Sequence, residues 1–417
     1  MAVDARIIVH LGCLGGCQKP CSPYRGTAMT AQDWTTQSLL ARLISFPTIS
    51  ADPNIDLITF CADFLKSTGA NVTLIQDETG KKANLYATVG PRDCAGVLLS
   101  GHTDVVPVAG QNWATPPFEM TGHNGKLFGR GTADMKGFVA CTMMAALKAS
   151  KMTLKTPLHL ALSYDEEVGC IGVRSLIDML ADAPFRPQFC IVGEPTLMQV
   201  ATGHKGKTAA KVTTTGHAAH SALAPTGLNA IHMACDIIGF LRELQDTIAS
   251  TGVQDDDYDV PYSTVHVGTM TGGTALNIVP DHAEFMFEIR HLAGDDPKTI
   301  LAQIEARTED YLAALRPQFP QANTTISITN SYPSLVTDSS AAVVGFMQEL
   351  TQTTHTIKVA FGTEGGLFSS VLDVPTVVCG PGSMDQGHKP DEFIEISELE
   401  ACDSMLDALL ARLVEGL

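Results

Sequence analysis

The apolar run Val97, Leu98 and Leu99 reads as a short buried strand that stops at Gly101 and at once presents His102 and, two residues on, Asp104. In open α/β sheets, ligands gather just beyond the carboxyl ends of strands. A His-x-Asp there suits a metal ligand and an orienting carboxylate, because a ligating imidazole gives its other N–H to an acceptor. The same pair could simply close a turn. The pattern recurs, however. Strand Leu158–Ser163 runs into Asp165, Glu166 and Glu167, consecutive acids that are electrostatically awkward unless exposed or bound to a cation. Adjacent residues point in different directions, so one of Glu166 and Glu167 could bind a metal while the other stays free as a base. Strand Phe189–Val192 is followed by a glycine and Glu194, and strand Thr376–Cys379 by a Gly/Pro loop and His388. Asp134 precedes an apolar helix that begins near Gly137, as either an N-cap or a carboxylate aimed at a metal. Two histidines and three carboxylates describe a dinuclear site bridged by one carboxylate. Mixed nitrogen and oxygen ligation suits zinc, with cobalt or manganese as substitutes.

The elements around these residues alternate. Leu39, Leu40, Leu43 and Ile44 form one helical face, and Asp56–Ser67 is a second helix. Strands follow at Asn71–Ile75 and Asn84–Val89, which makes the chain α/β. Between Glu194 and His388 the texture changes. Strand, helix Asn229–Leu244, two strands, helix Pro297–Leu315 and a last strand give the order β-α-β-β-α-β over residues 204–331, a split-βαβ sandwich. The chain of 417 residues is 45% hydrophobic and 17% charged, enough for a sizeable core. Its net charge of −18 argues against a general nucleic-acid or anionic-membrane surface, and no run approaches the ~18–20 apolar residues of a membrane span. Scattered cysteines, several inside apolar runs (Cys190, Cys235, Cys379), suit reduced thiols in a cytoplasmic enzyme. Residues 1–30 read as a disordered or non-native extension. Cys13, Cys17 and Cys21 there have a spacing compatible with a metal site, but the plain extension is the reading adopted. No Gly-x-Ser-x-Gly elbow is present and no cysteine has a recognisable histidine partner, so covalent hydrolysis is unsupported.

GHTDVVP, GRGTADMKG, DEEVGC, VGEPT and GHKPDEF, in this order, resemble the co-catalytic zinc aminoacylase/carboxypeptidase family from about residue 32 to the end. The resemblance implies an α/β fold of two parts: a mixed-sheet, zinc aminopeptidase-like catalytic domain (31–203 and 332–417) and an inserted ferredoxin-like lid and dimerisation domain (204–331). It implies two zinc ions per chain, cobalt being able to substitute. Asp134 would bridge them, with His102 and Glu194 on one and Glu167 and His388 on the other. Glu166 would be the general base and Asp104 would orient His102. A cis peptide is implied at Asp134–Met135.

Carried over the insert, the resemblance makes His220, rather than His217, an oxyanion-binding residue that reaches the partner's site in a homodimer. Asn277 would contact substrate and Arg290 would bind its carboxylate, for which a guanidinium offers a bidentate fork. In VAFGTEGGLFSS, Gly365 and Gly366 suggest close backbone approach to something bound. That stretch resembles the acetylornithine deacetylases, and Glu364 would hold the distal ammonium of ornithine. The expected substrate is thus a small N-acyl amino acid, N2-acetylornithine first, in arginine biosynthesis. A desuccinylase, a broader N-acyl amino acid hydrolase, or a non-catalytic binding member are the alternatives.

Overall fold

Apolar runs with no polar face can be hidden only in the middle of a covered sheet, and that is where they lie. The computed structural model describes residues 34–417, so the expectations for residues 1–30, including Cys13, Cys17 and Cys21, fall outside the described residues. A nine-stranded sheet has the order Asn71–Gln76, Ala83–Val89, Leu158–Ser163, Val97–His102, Phe189–Pro195, Thr376–Gly380, Val200–His204, Leu335–Val336, with Thr356–Val359 also paired to Val200–His204. Val97–His102 runs parallel to both Leu158–Ser163 and Phe189–Pro195, and Thr376–Gly380 runs parallel to Phe189–Pro195. These are the strands that precede the candidate ligands. They are adjacent and parallel, so their carboxyl ends share one edge.

Every residue of these strands is buried because helices cover both faces. Helix Gly137–Ala149 is apolar all round, and all of it except Lys148 is buried, as expected of a helix inside two layers. The apolar stripe Leu399, Cys402, Leu406, Leu409 and Leu413 of helix Ile396–Glu415 joins it in one core cluster. Gly193 permits the approach of the central helix: a Cβ there would fall 2.0 Å from the Phe138 ring. The other face is packed by helices Val173–Ala181 and Gly365–Leu372.

The inserted stretch forms a four-stranded antiparallel sheet in the order Thr264–Gly272, His282–His291, Gly206–Thr215, Asn323–Tyr332. Alternation decides its faces. Ala210, Val212, Phe285, Phe287 and Ile289 turn toward helices Ala230–Thr251 and Pro297–Leu315. Lys207, Lys211, Glu284, Glu288 and Arg290 occupy the other face, which carries no helix of this layer. The first helix runs beyond the expected Leu244 to Thr251. Its last turns are polar outside, with Asn229 capping its start through bonds from the Ile231 and His232 N–H groups (2.9 and 3.2 Å). A small sheet not legible in the sequence pairs Thr121–His123, Lys126–Phe128 and Phe393–Glu395, and it sets Glu392 beside Arg130.

Candidate functional site

At the shared strand edge one carboxylate faces two imidazoles. Asp134 Oδ1 lies 3.0 Å from His102 Nε2 and its Oδ2 lies 3.2 Å from His388 Nε2. Glu194 Oε1 is 3.8 Å from His102 Nε2, and Glu167 Oε2 is 3.0 Å from His388 Nε2. The structure therefore brings His102, Asp134, Glu167, Glu194 and His388 together, as two His/Glu pairs on either side of Asp134. Donor atoms of His102, Asp134 and Glu167, and likewise of His102, Glu166 and Glu194, lie within 4.8 Å of one another. His388 is 51% exposed while the others are buried, so one side of the cluster opens to solvent.

The electrostatics fit a cation pair. Burial pushes the Glu166 carboxyl up to about 8 and that of Glu167 to about 7, and drives Glu194 well above the usual carboxylate range. Hydrogen bonds to Asp134 and Glu167 hold His388 up to about 10. Burial would lower His102, but its contacts with Asp104 and Asp134 raise it well above normal. Carboxylates that resist ionisation beside histidines that hold protons mark an excess of negative charge, which divalent ions would relieve. The donor set, imidazole and carboxylate, is the one zinc accepts.

Asp134 is not an N-cap. It lies in the kinked turn Thr132–Lys136, where Asp134 and Met135 have non-helical backbone angles; the turn is entered through Gly131 at φ 87°, and the Asp134–Met135 peptide is cis. The buried Glu392 carboxylate holds this turn. Its Oε1 accepts from the N–H groups of Gly131 (3.1 Å), Ala133 (2.9 Å) and Asp134 (3.1 Å), while its Oε2 accepts from Arg130 Nη1 at 2.7 Å. Arg130 Nη2 donates to Gln111 Oε1 (2.6 Å), and Gln111 Nε2 donates to the His388 carbonyl (2.9 Å). One buried ion pair thus ties the Asp134 turn to the His388 loop. Neither Arg130 nor Glu392 stood out in the sequence, although both lie inside the GRGTADMKG and GHKPDEF stretches.

Asp104 does more than face His102. The His102 Nδ1–H donates to the Asp104 backbone carbonyl at 2.9 Å, with the carboxylate Oδ1 farther, at 3.6 Å. The carboxylate instead accepts from the Glu166 N–H (3.0 Å), the Glu167 N–H (3.3 Å) and the Ser50 hydroxyl (2.7 Å). It shapes the turn that presents both glutamates. Glu166 Oε1 also accepts from the buried Cys170 thiol at 3.2 Å.

A cleft of about 410 Å³ opens over the cluster. Asp134, Glu166, Glu167, Glu194 and His388 form one wall, and Lys207, Arg290 and Tyr332 of the inserted layer form another. Arg290, expected to meet a substrate carboxylate, lines the cleft. Lys207 and Tyr332 were missed; strand alternation could have put Lys207 on the face opposite Ala210 and Val212.

His220 and Asn277 are not on this cleft. They are exposed and adjacent on the inserted layer, where the Ser221 N–H donates to the Asn277 carbonyl (3.0 Å) and His220 bridges Ile278. His220 Nδ1 accepts from the Ala222 N–H at 3.1 Å, which leaves Nε2 as the donor of a neutral ring.

The expectations for Glu364 and Gly365 need correction. Glu364 is 1% exposed and turned inward, where its carboxylate accepts from the hydroxyls of Ser100 (3.1 Å) and Ser163 behind the His102 strand. A side chain enclosed by two strands cannot meet a substrate ammonium in the cleft. Burial pushes it up to about 7 despite those bonds. Gly365 and Gly366 open a helix and approach the chain itself: a Cβ at Gly366 would fall 2.3 Å from the Pro333 carbonyl. The cleft is lined by Ala360, Phe361 and Gly362, just upstream.

The comparisons with known proteins agree with this geometry. Residues 98–412 match the model of peptidase family M20/M25/M40. An acetylornithine deacetylase of Shigella sonnei (strain Ss046) is 34% identical over 361 residues, 85% of this chain and 91% of that protein. An M20 family metallo-carboxypeptidase of Sulfolobus solfataricus shares the fold with a TM-score of 0.74 at 18% identity, over 92% of this chain and all of the other (100%). A dinuclear metal-binding peptidase of that family from Bacillus subtilis superposes with a TM-score of 0.66 at 14% identity, over 92% of this chain and 98% of the other. The chain belongs to peptidase family M20/M25/M40 and is a metal-dependent amidohydrolase of that family.

Proposed function

We propose that the enzyme removes the acetyl group from N2-acetylornithine, yielding ornithine and acetate in the cytoplasm as a step of arginine biosynthesis. The observation that carries the chemistry is the bridging geometry of Asp134, with Glu166 beside it. The 34% identical relative supports the substrate. In this reading His102, Asp134 and Glu194 hold one zinc ion, and Asp134, Glu167 and His388 hold the other. Bound there, the ions would acidify a water and polarise the amide carbonyl. Glu166 takes the water's proton and hands it to the departing amine. Asp104 keeps Glu166 in register through its backbone N–H. Arg290 anchors the α-carboxylate.

Residues 204–331 act as a lid and dimerisation domain on a catalytic domain made of 31–203 and 332–417. His220 and Asn277, exposed and away from their own chain's cleft, serve the partner's cleft in a homodimer, where the His220 Nε2–H donates to the developing oxyanion. A second reading, a broader N-acyl amino acid hydrolase, is favoured by one feature: beyond the metal-holding group and Glu166, no carboxylate lines the cleft among the described residues, and its side wall includes Phe361 and Met384.

The test is a panel of N2-acetylornithine, succinyl-diaminopimelate and acetylmethionine, assayed with zinc or cobalt. The proposal requires the highest kcat/KM on N2-acetylornithine. Equal or better turnover of acetylmethionine would establish the second reading.

A further inference from the structure

The only cationic side chains other than His388 that line the cleft, among the described residues, are Lys207 and Arg290. They are directly opposite one another in the inserted sheet, Arg290 pairing with Lys207, which in turn pairs with Tyr332 across its other edge. Three neighbouring strands thus present Arg, Lys and Tyr as one row on the helix-free face. Glu288, two residues before Arg290 on the same face, holds both cations: its Oε1 accepts from Arg290 Nε at 3.0 Å, and its Oε2 lies 3.5 Å from Lys207 Nζ. Arg290 Nη1 donates to the Tyr332 hydroxyl oxygen at 3.1 Å, so the tyrosine's own proton remains free to donate. Burial raises the Glu288 carboxyl, but Arg290 and Lys207 more than offset that and keep it ionised.

Two cations against one carboxylate leave this row with one net positive charge. Farther along the same face, Lys211 pairs with Glu284 at 2.6 Å, one cation to one anion, at 42% and 38% exposure and away from the cleft. That pair is an ordinary surface contact. The Lys207 row is charged, half-buried and aimed at the candidate metal cluster.

We infer that Lys207 is a second anchor for the substrate's α-carboxylate beside Arg290, and that Glu288 sets the charge of the row so that it accepts one carboxylate rather than two. The inference rests on the reading of the enzyme as an N-acyl amino acid hydrolase but not on ornithine as the side chain. A carboxylate entering the cleft meets Lys207 Nζ, the guanidinium edge and the Tyr332 hydroxyl, while Glu288 keeps the two cations side by side against their mutual repulsion.

The test measures kcat and KM for metal-loaded wild type, Lys207→Met, Lys207→Arg and Lys211→Met on the best N-acyl amino acid of the panel and on its carboxamide. Lys207→Met should raise KM for the free acid about tenfold or more with kcat within about threefold, since the lost contact binds ground and transition states alike. The carboxamide should change less than about twofold. Lys207→Arg should recover most of the KM, and Lys211→Met should match wild type. Equal losses on acid and amide, or no loss on the acid, would overturn the inference. Calorimetric binding of the product amino acid gives a readout without turnover: Lys207→Met should weaken it about tenfold. If wild type turns over no N-acyl amino acid, the functional reading fails, and the same titration still decides whether Lys207 binds a carboxylate. For the charge balance, Glu288→Gln should shift relative kcat/KM toward N-acetylglutamate by roughly tenfold; an unchanged ratio would refute that part.

Discussion

Replacing Glu392 by Gln should be strongly damaging although it leaves every candidate ligand in place. The wild-type carboxylate serves four donors: three backbone N–H groups of the Asp134 turn on one oxygen and Arg130 Nη1 on the other. A glutamine has one oxygen, so its NH2 must face either the three N–H groups or the guanidinium. Arg130 is 1% exposed, and its Nε already has no partner, so it would be left as a buried charge with poor compensation. Breaking one side of a buried ion pair costs about 3–5 kcal/mol. Arg130→Met should cost less, because Glu392 keeps its backbone donors, and the double variant should lose less than the sum. Urea unfolding of the metal-loaded protein reads the stability, and the metal retained after dialysis reads the site. Since the same pair ties Asp134 to the His388 loop through Gln111, metal retention should fall together with stability. A loss under about 1 kcal/mol with metal retention unchanged would refute this account of the clamp.

Other outcomes follow from the same contacts. For chelator-treated protein the raised Glu166 and Glu167 (about 8 and about 7, against 4.5) and His388 (about 10, against 6.5) all contribute stability that is complete below the lower value and is lost as pH rises through the higher one. The increment in melting temperature from added zinc should therefore grow between pH 5 and 9; a constant or shrinking increment contradicts the assigned charges. Glu364→Gln should lower kcat/KM for N2-acetylornithine and acetylmethionine alike, within about threefold of each other, because Glu364 supports strand ends and does not line the cleft. Mixing inactive His220→Ala and Glu166→Gln chains should restore turnover, since a heterodimer would assemble one site with both residues intact; no recovery after demonstrated subunit exchange counts against action in trans. Phe138→Ala should destabilise by about 3–5 kcal/mol in thermal or urea unfolding, the ring being fully enclosed between the sheet and the central helix layer.

Much of the frame was legible because its signals are local. Strand Leu158–Ser163 and helix Pro297–Leu315 have the bounds read from their apolar patterns, and the inserted layer follows the expected β-α-β-β-α-β order. Four of the candidate ligands, His102, Glu167, Glu194 and His388, were legible because each comes at or after the end of a buried strand, and parallel neighbours must expose their carboxyl ends on one edge; Asp134 comes instead from a turn ahead of a helix. What stayed hidden depends on side-chain direction. Glu364 lies in a glycine-flanked loop that reads as a binding segment, yet its carboxylate turns inward to two serines from distant strands. Asp104 offered both a carbonyl and a carboxylate to His102, and the nearer group is the carbonyl. Lys207 becomes informative only once register sets it against Arg290, a pairing 83 residues apart that no local pattern encodes.

The central claim is that Glu166 moves the proton while Asp134, His102, Glu167, Glu194 and His388 hold two metal ions. Glu166→Gln tests it most directly, with turnover and metal content measured on the same preparation. The variant should retain two ions per chain while kcat falls by at least about 10²–10⁴-fold, the range for loss of a general acid–base group. Normal turnover, or loss of an ion along with activity, would contradict the assignment.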